Sequence, residues 1–277
     1  MTKEDLTIEE IAKLSYYDLL AHLDAPFFNL GGYSSIDRLA EMCKLSKGKK
    51  ILEIGCGTGL NACYLARTFD CHVVGIDIAD KMVEKAKENA EKVNLTDKVE
   101  FKIGDAYNLQ FEDNSFDLII TSFVSQFLDL KQAFKEFLRV IKHGGCIGIN
   151  EMYKSEIIPE IAANNIDEGE KILQEATGLP FKFHTPAYWK RSFEDASLTD
   201  IQLEEIPYQD ISTKKILKDI GGFKYLMKVT GKIIKYAWKS KKIRKKFGEI
   251  GKAKRKLYKN KDARKFIGYV LCTGKKP

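Results

Sequence analysis

Two hydrophobic rhythms run through this chain. Short, mostly apolar runs stand at 51–54, 73–76, 99–103, 118–121 and 146–150. Runs of this length read as strands buried in a parallel sheet. Between them, at 60–67, 79–93 and 128–141, apolar residues fall at the spacing of helices that cover such a sheet. Two more strands are predicted at 201–206 and 266–272, which makes seven. Ahead of them, Ile8, Ile11, Leu14, Leu19 and Leu20 predict one helix over 7–22, opened by Thr7 with Glu10 three residues on as a capping box. Pro26 and the pair Gly31 and Gly32 predict a loop, after which Ser34 or Ser35 caps a helix to about residue 45. Thr185 followed by Pro186 opens a helix over 187–196. Between the last two strands, Phe223, Leu226, Met227, Ile233, Ile234, Ala237 and Trp238 recur at helical spacing with lysines between them. The expected fold is α/β, a doubly wound seven-stranded sheet. N-terminal helices occupy 1–46, the α/β core 47–210, a helical cap 211–262, and the last core strand and tail 263–277.

The end of the first run carries the chemistry. Glu53-Ile54-Gly55-Cys56-Gly57-Thr58-Gly59 places a glycine-rich turn between a strand and a helix, where a ligand can approach backbone N–H groups. The second strand ends at Asp77, and an acid about 20 residues beyond such a turn can accept both hydroxyls of a ribose. A dinucleotide fingerprint would need its third glycine at position 60, which is Leu60. A phosphate-binding loop would need Gly-Lys-Ser or Gly-Lys-Thr, and neither follows. Glu53 would repel a pyrophosphate but could receive an ammonium. A ligand with a cationic amino-acid end and a ribose satisfies both acids, and S-adenosylmethionine is that ligand.

These residues resemble motif I of the class I S-adenosylmethionine-dependent methyltransferases. The likeness continues through Asp77, Gly104-Asp105-Ala106, Phe116-Asp117-Leu118-Ile119 and 138–145. It covers residues 48–151 and is nearest the ubiquinone/menaquinone-biosynthesis-like small-molecule group (methyltransferase type 11). The resemblance implies a Rossmann-like fold, with S-adenosylmethionine as cofactor and S-adenosylhomocysteine as product. It implies cofactor contacts from Glu53, Gly55, Cys56, Gly57, Gly59, Asp77 and Ser122. Asp105 would accept from the adenine amino group, Ala106 would offer its amide, and Ile78 and Met82 would pack on the ring. The loop 122–127 is where the group places acceptor-facing residues, here Phe123 and Gln126. Relatives often carry histidine near position 126, and Gln126 cannot act as a base near neutral pH. Glu151, after the fifth strand, could orient an amine or take a proton. The family often uses an N-terminal helix as a lid, and here Tyr16 and Tyr17 lie on it, open to closing over the site or to plain packing. Asn29 and Tyr33 fall in a loop resembling the approach to the mouth of the site, and His184 could reach that mouth or simply pack. Tyr17, Gln126 and Glu151 are the catalytic candidates. Tyr16, Asn29, Tyr33, Phe123 and His184 are the substrate candidates. A neutral amine or thiolate needs little base, whereas a hydroxyl or carbon acid needs one, so a small-molecule N- or S-acceptor is favoured.

Charge changes the picture in one segment. The net charge of +7 comes from 46 basic and 39 acidic residues, of which 211–262 holds 19 and 3, leaving 27 and 36 elsewhere. This basic insertion could cap the site with its lysines in solvent, the preferred reading. It could instead lie on an anionic membrane, making the acceptor a lipid or isoprenoid quinone, or grip RNA phosphates. No Asn-Pro-Pro-Tyr or Asn-Pro-Pro-Phe follows the fourth strand, which counts against a nucleic-acid base as acceptor. Six cysteines, at 43, 56, 63, 71, 146 and 272, show no C-x-x-C pair and read as reduced buried thiols rather than a disulfide or metal set. With no span-length apolar run and a polar N-terminus, the expected location is cytoplasmic, at most peripheral to a membrane.

Overall fold

The first apolar run becomes the middle one of five parallel strands. In the computed structural model, which describes residues 6–25 and 30–277, β1 (Lys50–Ile54) lies between β2 (His72–Asp77) and β4 (Phe116–Ser122), parallel to both. β3 (Val99–Ile103) extends the sheet beyond β2, and β5 (Ile141–Lys154) extends it beyond β4, again in parallel. The last strand, β7 (Ile267–Lys275), runs antiparallel between β5 and β6 (Thr199–Pro207). The order is β3-β2-β1-β4-β5-β7-β6, the seven strands expected.

At the N-terminus the single helix expected over 7–22 is two. α1 (Ile8–Lys13) carries the capping box: the Glu10 amide donates to Thr7 Oγ1 at 3.3 Å and the Thr7 amide to Glu10 Oε2 at 2.8 Å. Leu14 turns extended, and Ser15 caps α2 (Tyr16–His22) by accepting from the Asp18 amide at 3.0 Å. A competing cap inside the apolar pattern therefore breaks the helix. α3 (Gly32–Met42) also departs from expectation. It starts at Gly32, and Ser35 Oγ donates back to the Gly32 carbonyl rather than capping.

Alternation along the strands sends side chains to two cores. Ile51, Leu118 and Ile120 pack on α3, α4 (Leu60–Phe69) and α5 (Asp80–Lys92). Leu52, Ile119, Ile147 and Ile149 pack under α6 (Leu130–Val140), with Phe134 and Phe137 on that face. The fifth strand is longer than its apolar run and begins at Ile141, so Cys146 lies inside it. Cys146 is bonded to Cys43, 103 residues earlier, with Cα atoms 5.6 Å apart. That corrects the reading of all six cysteines as free thiols. β5 passes beside the end of α3, a proximity that no local spacing announces.

The stretch between β5 and β6 holds α7 (Glu160–Thr177), a helix the apolar pattern did not reveal, and α8 (Pro186–Asp195), capped by Thr185 as expected. α7 buries only Ala162, Ile166 and Gly169. Gly169 is required there: a Cβ would stand 2.6 Å from Leu257 Cγ, in the π-helical turn Arg255–Lys259. Between β6 and β7 run α9 (Thr213–Asp219), α10 (Gly222–Lys239) and α11 (Lys241–Lys254). Ser240 breaks the last two and caps α11. A third core joins this insertion to α1, α2 and α5, with Val229 and Ile243 packed on Ile11, Leu19, Leu20 and Met82.

The inward face is not the one the sequence suggested. Ile233 and Ala237 do turn to that core, but Phe223, Met227, Ile234 and Trp238 stay exposed. Among the described residues no helix is long and apolar enough to cross a membrane.

Candidate active site

Strand ends and the turns after them build one wall of the site. Glu53 lies within β1, only 1% exposed. Burial pushes its carboxyl up to about 8, although the Asn61 side chain and the Ala62 amide, at the start of α4, pull it back. Its Oε2 has no hydrogen-bond partner among the described residues. The turn that follows passes close beneath the loop after β4. Gly55 has φ +69°, and a Cβ on it would lie 2.2 Å from Val124 Cγ2, so only glycine fits. At Gly57, also left-handed, a Cβ would meet nothing within 4 Å. That open space is what a ligand approaching the backbone requires.

Asp77 ties this turn to the neighbouring strand. Its Oδ2 accepts from the Gly57 amide and its Oδ1 from the Ala79 amide, both at 2.9 Å. Burial raises its carboxyl above the usual range, and those amides oppose the shift. Each oxygen keeps a lone pair for a ligand hydroxyl. Ile78, 77% exposed, stands just beyond. Met82 is turned away into the core shared by lid and insertion. After β3, Asp105 is exposed and accepts from the Tyr107 amide at 2.9 Å, with Ala106 buried beside it. Cys56 is buried in the turn, and its amide donates to the Ile76 carbonyl at 2.8 Å. Gly59 ends the turn in left-handed conformation as the N-cap of α4.

The other wall is the loop after β4, and a second buried carboxylate holds it. Glu151 Oε1 accepts from the Ser125 amide at 2.8 Å, Thr121 Oγ1 at 3.0 Å and the Val124 amide at 3.1 Å. Burial raises its carboxyl to about 7 in spite of those donors. Glu151 Oε2 and Gln126 Oε1 are buried without partners among the described residues. Ser122 ends β4 level with Asn150, and the Phe123 amide donates to the Asn150 carbonyl at 2.8 Å. Phe123 has φ 60° and is buried.

α2 packs beside the loop after β4 and against α5. Tyr17 meets Phe127 edge to face at 6.4 Å. Burial raises its hydroxyl well above the ordinary value, and the charges of Tyr16 and Asp77 add to the shift. Tyr16 instead packs on Phe247 of α11, its centroid 6.3 Å away. Tyr33 stacks on Tyr64 at 3.9 Å, and its amide donates to Asp219 of α9 at 3.0 Å. Asn29 lies outside the described residues. His184 is engaged away from the turn: its ring stacks on Tyr188 at 3.7 Å, and burial holds it down at about 4, helped by Lys182 and Lys154. Of the expected set, Asp77 is tied to the glycine turn through Gly57, that turn lies against Val124 of the loop Glu151 holds, and Tyr17 meets Phe127 of the same loop. Sequence reasoning missed Asn61, Thr121 and Ser125, the partners of the two acids. Asn61 was legible as a polar residue at the start of α4, whereas the other two act through contacts across the sheet.

The fold and strand order resemble those of solved S-adenosylmethionine-dependent methyltransferases. Residues 52–149 match the family described as a methyltransferase domain. Phosphoethanolamine N-methyltransferase 1 of Arabidopsis thaliana is 31% identical over 180 residues, 65% of this chain and 34% of that protein. Sterol 24-C-methyltransferase of Saccharomyces cerevisiae is 32% identical over 150 residues, 53% of this chain and 38% of that protein. The chain thus spans about a third of the length of these curated relatives. Among solved structures, phosphoethanolamine N-methyltransferase 2 of Haemonchus contortus, in complex with phosphomonomethylethanolamine and S-adenosylhomocysteine, superposes with a TM-score of 0.70. Sequence identity is 19%, over 99% of this chain and 61% of that one.

Proposed function

We infer that this chain transfers a methyl group from S-adenosylmethionine to a nitrogen of a small amine. One observation carries the reading: Glu53 Oε2, buried and unpartnered beside the open glycine turn, with Asp77 on the next strand. A buried carboxyl oxygen left without a donor asks for one, and a cation supplies it best. An amino-acid ammonium supplies it, and the ribose hydroxyls reach Asp77. Gly55, Cys56, Gly57 and Gly59 shape the turn beneath the ligand, and Asp105, Ala106 and Ile78 flank the adenine. Met82 supports that wall from the core. Ser122 borders the wall at the end of β4.

When bound, the cofactor supplies a methyl carbon made electrophilic by its sulfonium. The chain's part is to hold the nucleophile in line and to exclude water. Tyr17 and the lid close over the mouth, and Phe123 narrows it. Glu151 Oε2 and Gln126 Oε1 are two acceptors without donors, and an amine brings N–H groups to both. The nitrogen lone pair would form the new bond to the methyl carbon as the carbon–sulfur bond gave its pair to sulfur, and the extra proton would leave the nitrogen. Glu151, held near 7, is suited to receive it. A carbon acceptor, as in the sterol relative, would leave both oxygens unsatisfied.

The test is turnover of labelled S-adenosylmethionine with phosphoethanolamine, other small amines, thiols and an isoprenoid quinone. Product from an amine, reduced about 10- to 100-fold in Glu151→Gln, is the expected result. Turnover of the quinone alone, or of no amine, overturns the nitrogen assignment.

A further inference from the structure

We propose that α10 is a docking face for an anionic lipid surface. The helix divides into three faces. Val229, Ile233 and Tyr236 turn to the lid core. Phe223, Met227, Ile234 and Trp238 fall within about 60° of one another at 3.6 residues per turn, and they are 67%, 54%, 64% and 81% exposed. Lys224, Lys228, Lys235 and Lys239 form the adjoining flank, all exposed, and the exposed Lys241 and Lys242 follow at the start of α11. None of these six forms an ion pair among the described residues, in contrast to Lys232, which pairs with Asp24.

Here a tryptophan, a phenylalanine, a methionine and an isoleucine face outward together beside lysines that form no ion pair among the described residues. An apolar stripe with a basic border matches the boundary between acyl chains and acidic headgroups, where apolar burial and charge attraction act together. Beside the stripe, a shallow groove of about 350 Å³ opens between α9 and α10. It is lined by Ile216, Leu217, Ile220 and Leu226, with Lys214 among its lining residues. The opposite face of α10 holds the lid, so docking would bear on the helix that closes the site. The inference stands apart from the methyl acceptor, since it rests on surface residues that the site does not use.

The chain holds two tryptophans. Trp189 is fully buried and Trp238 is 81% exposed, so a change in emission on docking reports α10. The experiment mixes the full chain with vesicles of phosphatidylcholine alone or with an equal part of phosphatidylglycerol. Pelleting and Trp238 emission are followed at low and high salt, and S-adenosylhomocysteine affinity is measured in parallel. Expected are a blue shift and pelleting with the anionic vesicles only, weakened as salt shortens the screening length. Phe223→Ser with Met227→Ser, which keeps the reporter, should lower the partition coefficient about tenfold or more. Cofactor affinity should not change in that variant.

Absence of shift and pelleting at low salt overturns the proposal. So does pelleting that survives the double substitution, or equal binding to neutral vesicles. A blue emission that grows with protein concentration in vesicle-free solution would assign the face to a second copy of the chain. Retarded RNA without vesicle binding would assign it to nucleic acid. Failure here with intact S-adenosylhomocysteine binding leaves the methyl-transfer reading standing, and loss of that binding alone sinks only the latter.

Discussion

Around the glycine turn, polar groups lie inside; on α10, apolar groups lie outside. Glu53 and Glu151 are buried, each with one oxygen unpartnered among the described residues, while Trp238 and Phe223 are open to solvent beside lysines that form no ion pair among those residues. Both arrangements cost free energy in the isolated chain, one through lost solvation and the other through exposed apolar area. They differ in the ligand that would relieve the cost. A carboxylate in a sheet needs one cation at one place, so the turn, the amides and Asp77 fix its position. An apolar stripe needs only a surface, and the cap meets that need with a helix held on one side. The comparison separates a site of defined geometry from a face of defined chemistry, and substitutions on either side should leave the other untouched.

The largest effect is expected at Asp77. Two ribose hydroxyls lose a charged acceptor in Asp77→Ala, at about 1.5–3 kcal/mol each, which is roughly 100-fold or more in S-adenosylhomocysteine affinity. Calorimetric titration reads it directly, and near-unchanged affinity would remove the pocket described above. Vesicle binding should be unaffected.

Glu53 should give a smaller effect with an opposite sign in stability. Its carboxyl stands at about 8 when folded against an ordinary 4.5, so the unfolded chain ionises first as pH rises. The folded state therefore loses stability from this group between those two values. Glu53→Gln should abolish that slope and raise the thermal midpoint of the free protein at pH 8.5. It should also weaken S-adenosylhomocysteine about 10- to 100-fold, the loss of a charged hydrogen bond. In the wild type, an arriving ammonium should ionise Glu53 and expel a proton at pH 7. Titrations in buffers of different ionisation enthalpy should count close to one proton released, and none in Glu53→Gln. No proton release in the wild type would break the pairing of Glu53 with a cation.

The core was legible because its signals are local. Gly55, Gly57 and Gly59 name a turn, Asp77 names a strand end, and runs such as 118–121 name strands whose parallel order follows from the helices between them. What failed to show depends on what meets in space. The Cys43–Cys146 bond joins positions 103 residues apart. The break at Ser15 came from a cap inside an apolar stripe that read as one helix. α7 escaped because it buries little, and its key residue is a glycine facing Leu257. In the insertion the helices were legible but their orientation was not. Two apolar faces share α10, and the sequence does not say which one the lid takes. In the site, the acids were visible and Asn61 stood in view at the start of α4, but Thr121 and Ser125, which meet Glu151 only in space, were not.

Asp24 is where the two regions meet, and the smallest effect is expected there. It follows α2, and its carboxylate pairs with Lys85 of α5 and Lys232 of α10. Tyr225 of α10 also donates to its carbonyl at 2.6 Å. Burial alone would raise the Asp24 carboxyl, but the two lysines hold it at about 2, below its ordinary 3.8. Its contribution is thus complete above 3.8 and lost as pH falls through 2. Both pairs are partly exposed, so Asp24→Asn should cost only about 0.5–1 kcal/mol at pH 7. The variant should converge with the wild type in acid. Its kinetic effect says more than its stability. A rise of a few fold in acceptor KM, with S-adenosylhomocysteine affinity unchanged, would put the lid on the acceptor side, where Tyr17 meets Phe127. Equal losses in both would put it over the cofactor. No change in either would uncouple the cap from the site, and α10 would then act as a docking face alone.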